Sequence, residues 1–346
     1  IMPSLVGSEM CIRDSVGTVA ITSSEAEPYG RLAEIAVDEP VGTLGTGANP
    51  EFAQPRLRLT YTSMVTPGTV FAYDMDTGQR TVLKRQPVLG GVDLDAYEQE
   101  LMWARAEDGT EVPVSLVWKT GSRDAGPAPM VLYGYGSYEL SMDPGFSVKR
   151  LSLLDRGVVF AIAHVRGGGE MGRHWYDEGK TTAKRNTFTD FIAAADHLIG
   201  TGVTSPEKLV ATGGSAGGLL MGAVANMAPD RFAGISAHVP FVDALTSILM
   251  PELPLTVIEW EEWGDPLHDE QVYEYMRSYS PYENVTEQDY PKILAITSLN
   301  DTRVLYVEPA KWVARLREVG ADALLKTEMS ACLLYTSDAA DDSLRV

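Results

Sequence analysis

The chain has 346 residues, 45% of them hydrophobic, and its 48 acidic against 28 basic side chains give a formal charge of −20. So acidic a chain is a poor nucleic-acid binder, because phosphate recognition needs clustered Lys and Arg, and a cationic substrate suits its field better. No stretch approaches the roughly 18 consecutive apolar residues of a membrane-crossing helix, mean hydropathy is near zero, and no membrane partner is expected.

Residues 1–15 show neither a steady period nor a basic leader, so they read as neither strand nor signal peptide. The tail from Ser330, with Cys332-Leu333-Leu334-Tyr335, breaks abruptly from the strand-like Leu324-Leu325-Lys326-Thr327. Both ends resemble translated sequencing-adapter read-through, and the expectation is of a gene fragment with non-native segments at 1–15 and 330–346. Both cysteines, Cys11 and Cys332, fall there, so cysteine usage assigns no redox compartment. Cytoplasmic or periplasmic residence is the expectation.

From Thr18 to about Leu83 short strands are expected: Leu57–Tyr61 alternates, and Val70–Tyr73 and Arg80–Leu83 flank the turn Asp76-Thr77-Gly78. A meander of this size matches a propeller blade or so rather than a sandwich. A hairpin, Leu101–Ala106 with Val112–Trp118, then opens a different pattern. Apolar strands at Met130–Tyr133, Val158–Ala163, Leu209–Thr212 and Ile293–Thr297 alternate with amphipathic helices at Thr187–Leu198, Leu219–Met227 and Glu308–Val319, the last closed by Gly320. Such alternation implies an α/β fold with a doubly wound, mostly parallel sheet. The domains expected are the blade-sized β-meander part at 16–88 and the doubly wound α/β domain at 89–329, which the resemblance described below makes a propeller remnant and an α/β-hydrolase domain. A last strand near Met329 calls for a covering helix, and the polar tail offers little apolar surface in its place, so an exposed hydrophobic patch is expected.

Gly213-Gly214-Ser215-Ala216-Gly217-Gly218 stands between the strand Leu209–Thr212 and the helix Leu219–Met227, the context of a G-x-S-x-G nucleophile elbow. Small residues on both sides permit the strained turn that exposes a serine hydroxyl. A phosphate-cradling loop is the alternative. It is disfavoured because no Gly-Lys-Ser/Thr follows and no acidic residue stands about 20 positions on. On this fold an acid follows the serine, and Asp301 stands just past the strand Ile293–Thr297, although an Asx turn or helix cap would also place an Asp there. The base should follow the acid. All five histidines, His164, His174, His197, His238 and His268, precede Asp301, and none has the place of a triad base.

Tyr133-Gly134-Tyr135-Gly136-Ser137-Tyr138, His164-Val165-Arg166-Gly167-Gly168-Gly169-Glu170, the elbow, Val239-Pro240-Phe241-Val242-Asp243, Ser280-Pro281-Tyr282 and Glu308-Pro309-Ala310-Lys311-Trp312-Val313 together resemble the prolyl oligopeptidase family of serine peptidases, in its branch that cleaves after Arg or Lys. The resemblance runs from about Arg56 to Met329. It implies a size-filtering propeller joined to an α/β-hydrolase domain, short basic peptides as substrate, and no cofactor or metal. By position it makes Ser215 the nucleophile, Asp301 the residue that orients the base, and Tyr135 the partner of the Ala216 backbone N–H in an oxyanion hole. It places Glu259 and Glu261 on the P1 basic side chain, Asp143 in the S2 region where Gly145 replaces a second acid, and Arg303 on a substrate carbonyl. A doubled carboxylate suits a guanidinium, though Glu261-Glu262 alone would read as a solvated acidic run. Arg166 and Glu170 are expected to pair with each other structurally.

Two other classes stand beside this reading. An esterase or lipase on the same fold has no use for paired glutamates in an apolar pocket. A non-catalytic homologue would explain the lack of a base after Asp301, but so does a break in sequence character at Ser330, and in either case the chain as it stands is expected to be inactive.

Overall fold

The computed structural model describes residues 16–21, 31–37, 39–51 and 54–329. Chain polarity switches once along the sequence, and the architecture switches with it. Strands β1 (Val16–Ile21) and β2 (Arg31–Ala36) form an antiparallel pair. Strands β3 (Thr43–Thr46), β4 (Arg56–Thr62), β5 (Thr69–Asp74) and β6 (Arg80–Arg85) form a four-stranded antiparallel meander in sequence order. Its period-two pattern buries Leu59, Phe71 and Tyr73 with Ile35 in a small core of their own.

The second part is one eight-stranded sheet. Strands β7 (Tyr97–Arg105) and β8 (Glu111–Lys119) make the expected hairpin at one edge. Strands β9 (Met130–Tyr133), β10 (Val159–Ala163), β11 (Leu209–Gly214), β12 (Gly234–His238), β13 (Lys292–Ser298) and β14 (Ala323–Glu328) are parallel to one another. The spatial order is β14-β13-β12-β11-β9-β10-β8-β7, with β8 antiparallel to β10. This is the expected mostly parallel, doubly wound sheet. The reversal of strand order lies beside β9 and β11, where such sheets open a crevice at their carboxyl ends.

Helices intervene at α1 (Val148–Leu154), α2 (Arg173–Asp177), α3 (Arg185–Gly200), α4 (Ala216–Met227), α5 (Ala244–Ile248), α6 (Thr256–Trp263), α7 (Glu270–Arg277) and α8 (Val307–Glu318). Helix α3 buries Phe188, Phe191, Ala195 and Leu198, the stripe its 3.6-residue period dictates. Helix α4 is apolar all round and buried from Ala216 to Ala225, as a helix central to the core must be. The main core joins these two helices and Trp312, Val313 and Leu316 of α8 to one face of the sheet. The opposite face packs Val117 and Ile162 against Leu151 and Leu154 of α1 and against Val41 and Met64 from the N-terminal part.

Toward β13 and β14 the described residues leave that second face open. Leu294 and Leu324 are adjacent there and remain 36% and 58% exposed, the apolar patch expected from the sequence. Strands and helices read from the sequence lie within a few residues of their observed bounds. The short helices α5 to α7 between Asp243 and Arg277 carried no such signal. Arg166 does not pair with Glu170. Its guanidinium makes a bidentate contact with Asp190 at 2.7 and 2.9 Å, and Glu170 instead sits 3.6 Å from His164 Nδ1, because β10 and α3 bring Asp190 in from 24 residues away.

Candidate active site

Strand β11 ends in glycines and α4 begins one residue later, so Ser215 has to turn the chain within a single peptide. It does so at φ 57°, ψ −118°, where a residue with a Cβ is strained. The turn is held by backbone alone. Ser215 N–H donates to His238 O at 2.9 Å, and its carbonyl accepts from Gly218 N at 2.8 Å and Phe241 N at 3.1 Å. Gly218 is required by close approach: a Cβ there would lie 2.3 Å from Pro240 Cα. Ala216 is the first residue of α4, so its N–H belongs to the set that an α-helix leaves without an internal partner, at the positive end of the macrodipole.

The loop after β9 crosses in front of this turn. Tyr135, half-buried, brings its phenol beside the Ser215 hydroxyl, which offers it a hydrogen bond, and burial pushes the phenol up to about 12, so it stays a donor. Aromatic rings continue from there: Tyr138 stands 6.4 Å from Tyr135, and Trp263 meets Tyr138 edge-on at 5.8 Å and Phe241 at 5.5 Å. Glu259, on α6, lies against this group. It accepts from Trp263 Nε1 at 3.2 Å, neighbours the Tyr138 hydroxyl, and is held above the ordinary carboxylate range chiefly by burial, with Glu262 reinforcing and Arg303 opposing. Glu259 and Arg303 line one cleft together with Phe241, Ile248, Leu255 and Glu308.

Asp301 follows β13 as expected and is 4% exposed. Its Oδ1 accepts from Arg303 N at 2.9 Å and Val304 N at 3.0 Å, the Asx-type turn considered from the sequence. Its Oδ2 is buried and has no hydrogen-bond partner among the described residues. A carboxylate oxygen held this way is one that an imidazole N–H would satisfy.

None of the five histidines fills that role. His164 is fully buried against Ser115 Oγ at 2.7 Å, and His238 sits on the sheet face with Nε2 3.1 Å from Ser236 Oγ, its pKa lowered by burial. His268 pairs with Asp265 at 2.8 Å on the surface. His174 lies on α2 and His197 on α3.

The remaining expected residues are placed unevenly. Asp143 is exposed on the loop before α1, beside Met142, whose N–H is held by Glu170 at 2.9 Å. Glu261 is exposed and does not join Glu259. Helical spacing is the reason: on α6 the residues that share a face with Glu259 are Glu262 and Trp263, both buried. Sequence reasoning passed over Glu262 because no helix was read there, and over Lys184 because nothing local ties it to the site. No group of three or more metal-ligating side chains occurs among the described residues.

Comparison with known proteins adds the following. A family model described as "Prolyl oligopeptidase family" matches residues 144–332, and one described as "Prolyl oligopeptidase, N-terminal beta-propeller domain" matches residues 15–86. Protease 2 of Moraxella lacunata is 50% identical over 305 residues, covering 87% of this chain and 44% of that protein. Dipeptidyl aminopeptidase BI of Pseudoxanthomonas mexicana is 49% identical over 301 residues, covering 86% and 41%. Among solved structures, oligopeptidase B from Trypanosoma brucei with covalently bound antipain, in its closed form, superposes with a TM-score of 0.85 at 45% identity, covering 93% of this chain and 46% of that one. The chain thus spans less than half the length of these relatives.

Proposed function

Because the chain belongs to the prolyl oligopeptidase family of serine peptidases, we propose that it carries the acyl-transfer site of a peptidase that cuts short peptides after Arg or Lys. The observation that carries this is the strained Ser215 elbow set between Tyr135 and the head of α4, with a half-buried carboxylate at Glu259 along the same wall. Ser215 Oγ attacks the scissile carbonyl carbon, and the carbonyl oxygen becomes an oxyanion that accepts from the Tyr135 hydroxyl and the Ala216 N–H. The base that takes the Ser215 proton passes it to the nitrogen, the amine leaves, an acyl-serine remains, and water then releases the carboxylic acid and returns the serine. One such oxyanion donor is typically worth about 2.7–4 kcal/mol.

Glu259 takes the guanidinium or ammonium of P1. Its raised pKa fits a site built for a cation, which restores the charged form when it binds. Asp143, on the loop before α1, and Arg303, on the wall of the cleft, are assigned to the residue before P1 and to a substrate carbonyl. Glu261 is exposed and lies off the face that Glu259 shares with Glu262 and Trp263, so it is given no share in the pocket.

The proton of Ser215 needs a base on Asp301 Oδ2, and the chain has no histidine after Asp301. We therefore read the 346-residue chain as peptide-binding and nearly inert. Titration with agmatine, an alkyl guanidinium, followed by Trp fluorescence, tests the pocket: saturable binding that is lost on Glu259→Gln is expected. Equal binding of agmatine and a neutral alcohol of similar length would remove the basic-residue assignment. It would leave open an esterase on the same elbow, which a panel of neutral esters would then detect.

A further inference from the structure

Lys184 is the most buried cation among the described residues, 1% exposed, and nothing in the acyl-transfer chemistry above uses it. An ammonium has three protons to donate and cannot stay in the interior unless acceptors meet it. Here they do: Nζ donates to Gly136 O at 2.6 Å, to Ser137 Oγ at 2.7 Å and to Gly179 O at 3.1 Å. Glu262 Oε1 lies 3.5 Å away, and the Trp263 ring lies 5.0 Å below the charge. Both acceptors at residues 136 and 137 directly follow Tyr135 in the chain, and Glu262 is one turn along α6 from Glu259.

The loop needs such an anchor. Tyr138 and Glu139 both hold positive φ, 61° and 57°, which disfavours them. Gly136, at φ 71°, passes so close to α3 and Val165 that a Cβ would lie 2.4 Å from Thr187 Cγ2 and 2.6 Å from Val165 Cγ2. The chain at Gly136 is therefore closely confined, and Lys184 holds the Gly136 carbonyl.

We propose that Lys184, charge-paired with Glu262, is a positioning residue that fixes the Tyr135 hydroxyl as oxyanion donor and ties its loop to the helix carrying Glu259. The proposal rests on the acyl-transfer reading above. Glu262 reaches Lys184 from α6, the Tyr176 and Tyr279 phenols face Glu262, and Glu259 is the next carboxylate on the same helix face. Burial brings Lys184 down to about 8, with Glu262 opposing that fall. The protonated anchor is thus present below pH 8 and lost as pH rises through it.

The full 346-residue chain can be assayed with an arginine p-nitrophenyl ester and added imidazole. Imidazole takes the Ser215 proton, the acyl carbon bonds to Oγ, and p-nitrophenolate leaves as an anion that needs no proton. The rate with Ser215→Ala, measuring direct imidazole attack, is subtracted. We expect kcat to fall above about pH 8. Lys184→Met should lower kcat about a hundredfold, as misplacement of one group does, abolish that alkaline limb, and leave KM and the agmatine affinity within about twofold, since Glu259 stays in place. An unchanged kcat and an unchanged limb in Lys184→Met would overturn the proposal. Should that variant fail to fold, Glu262→Gln decides: its alkaline limb must move to lower pH, and an unmoved limb overturns the pairing. If Tyr135→Phe is itself without effect, or Ser215→Ala removes nothing, the acyl-transfer reading has failed rather than the anchor.

Discussion

On the Ser215 side of the cleft, each polar group of the turn meets a partner that the fold supplies: strand β12 takes the Ser215 N–H, α4 and Phe241 take its carbonyl, and Lys184 holds the loop of Tyr135. On the Asp301 side the same quality of construction stops at one oxygen. Oδ1 is bonded twice to backbone, while Oδ2, equally buried, meets no donor among the described residues. The first side is completed by backbone groups of β12, α4 and Phe241 and by the Lys184 ammonium, all of them in place among the described residues. The second depends on a side chain from elsewhere, and no histidine follows Asp301 to supply it.

The largest effect that tests this contrast is catalytic. Hydrolysis of an arginyl amide by the chain is expected to fall on the order of 10⁶ below that of a complete triad, leaving only what binding and oxyanion donors give. Robust turnover, or rapid stoichiometric fluorophosphonate labelling of Ser215, would mean that an upstream histidine acts as base.

Stability sharpens the same point. Asp190 and Asp301 are both buried acids, but only Asp190 is matched, by Arg166. Asp190→Asn should cost about 3–5 kcal/mol, the usual result of breaking a buried pair. Asp301→Asn keeps its backbone bonds and should cost less than about 1 kcal/mol by urea unfolding. An equal loss at both positions would show that Oδ2 is paired in solution.

Glu308 provides a pH test on the wall shared with Glu259. Burial raises it to about 8 despite hydrogen bonds from Ser247 and Asp243. A carboxyl whose folded pKa exceeds its unfolded value favours the fold in its protonated form. Its contribution is therefore full below about pH 4.5 and is lost as pH rises toward 8. Glu308→Gln should flatten this decline, so that its Tm exceeds that of the parent at pH 8 and not at pH 4.5.

Between Glu259 and Glu261 of α6 the expected difference is roughly 1.5–3 kcal/mol of agmatine affinity. Glu259→Gln should raise Kd roughly tenfold to a hundredfold, and Glu261→Gln should change it less than about twofold. The smallest effect is strain relief. Ser215→Gly, at φ 57°, should raise stability by about 1 kcal/mol in thermal unfolding.

What the sequence revealed divides along similar lines. The elbow was legible because glycines must flank a serine in a turn so tight, and the parallel strands because buried runs such as Leu209–Thr212 leave no polar face. Asp301 was legible from its place after a strand. The second carboxylate was not. Glu259 and Glu261 came together through the family resemblance alone, whereas on helical α6 Glu259 shares its face with Glu262. Partners fixed by tertiary closure were also hidden, since nothing local links Lys184 to Gly136, 48 residues away, or Arg166 to Asp190.

The backbone anchoring of the elbow has a consequence for design. The N–H and C=O of residue 215 hold it in place, and no anchor of that turn depends on the hydroxyl. The position is therefore an address rather than a chemistry, and a cysteine could occupy it with the same strand, helix and glycines around it. At the head of α4 a thiol would be biased toward thiolate by the helix terminus itself. Such a variant would trade dependence on a distant base for a nucleophile that its own scaffold activates.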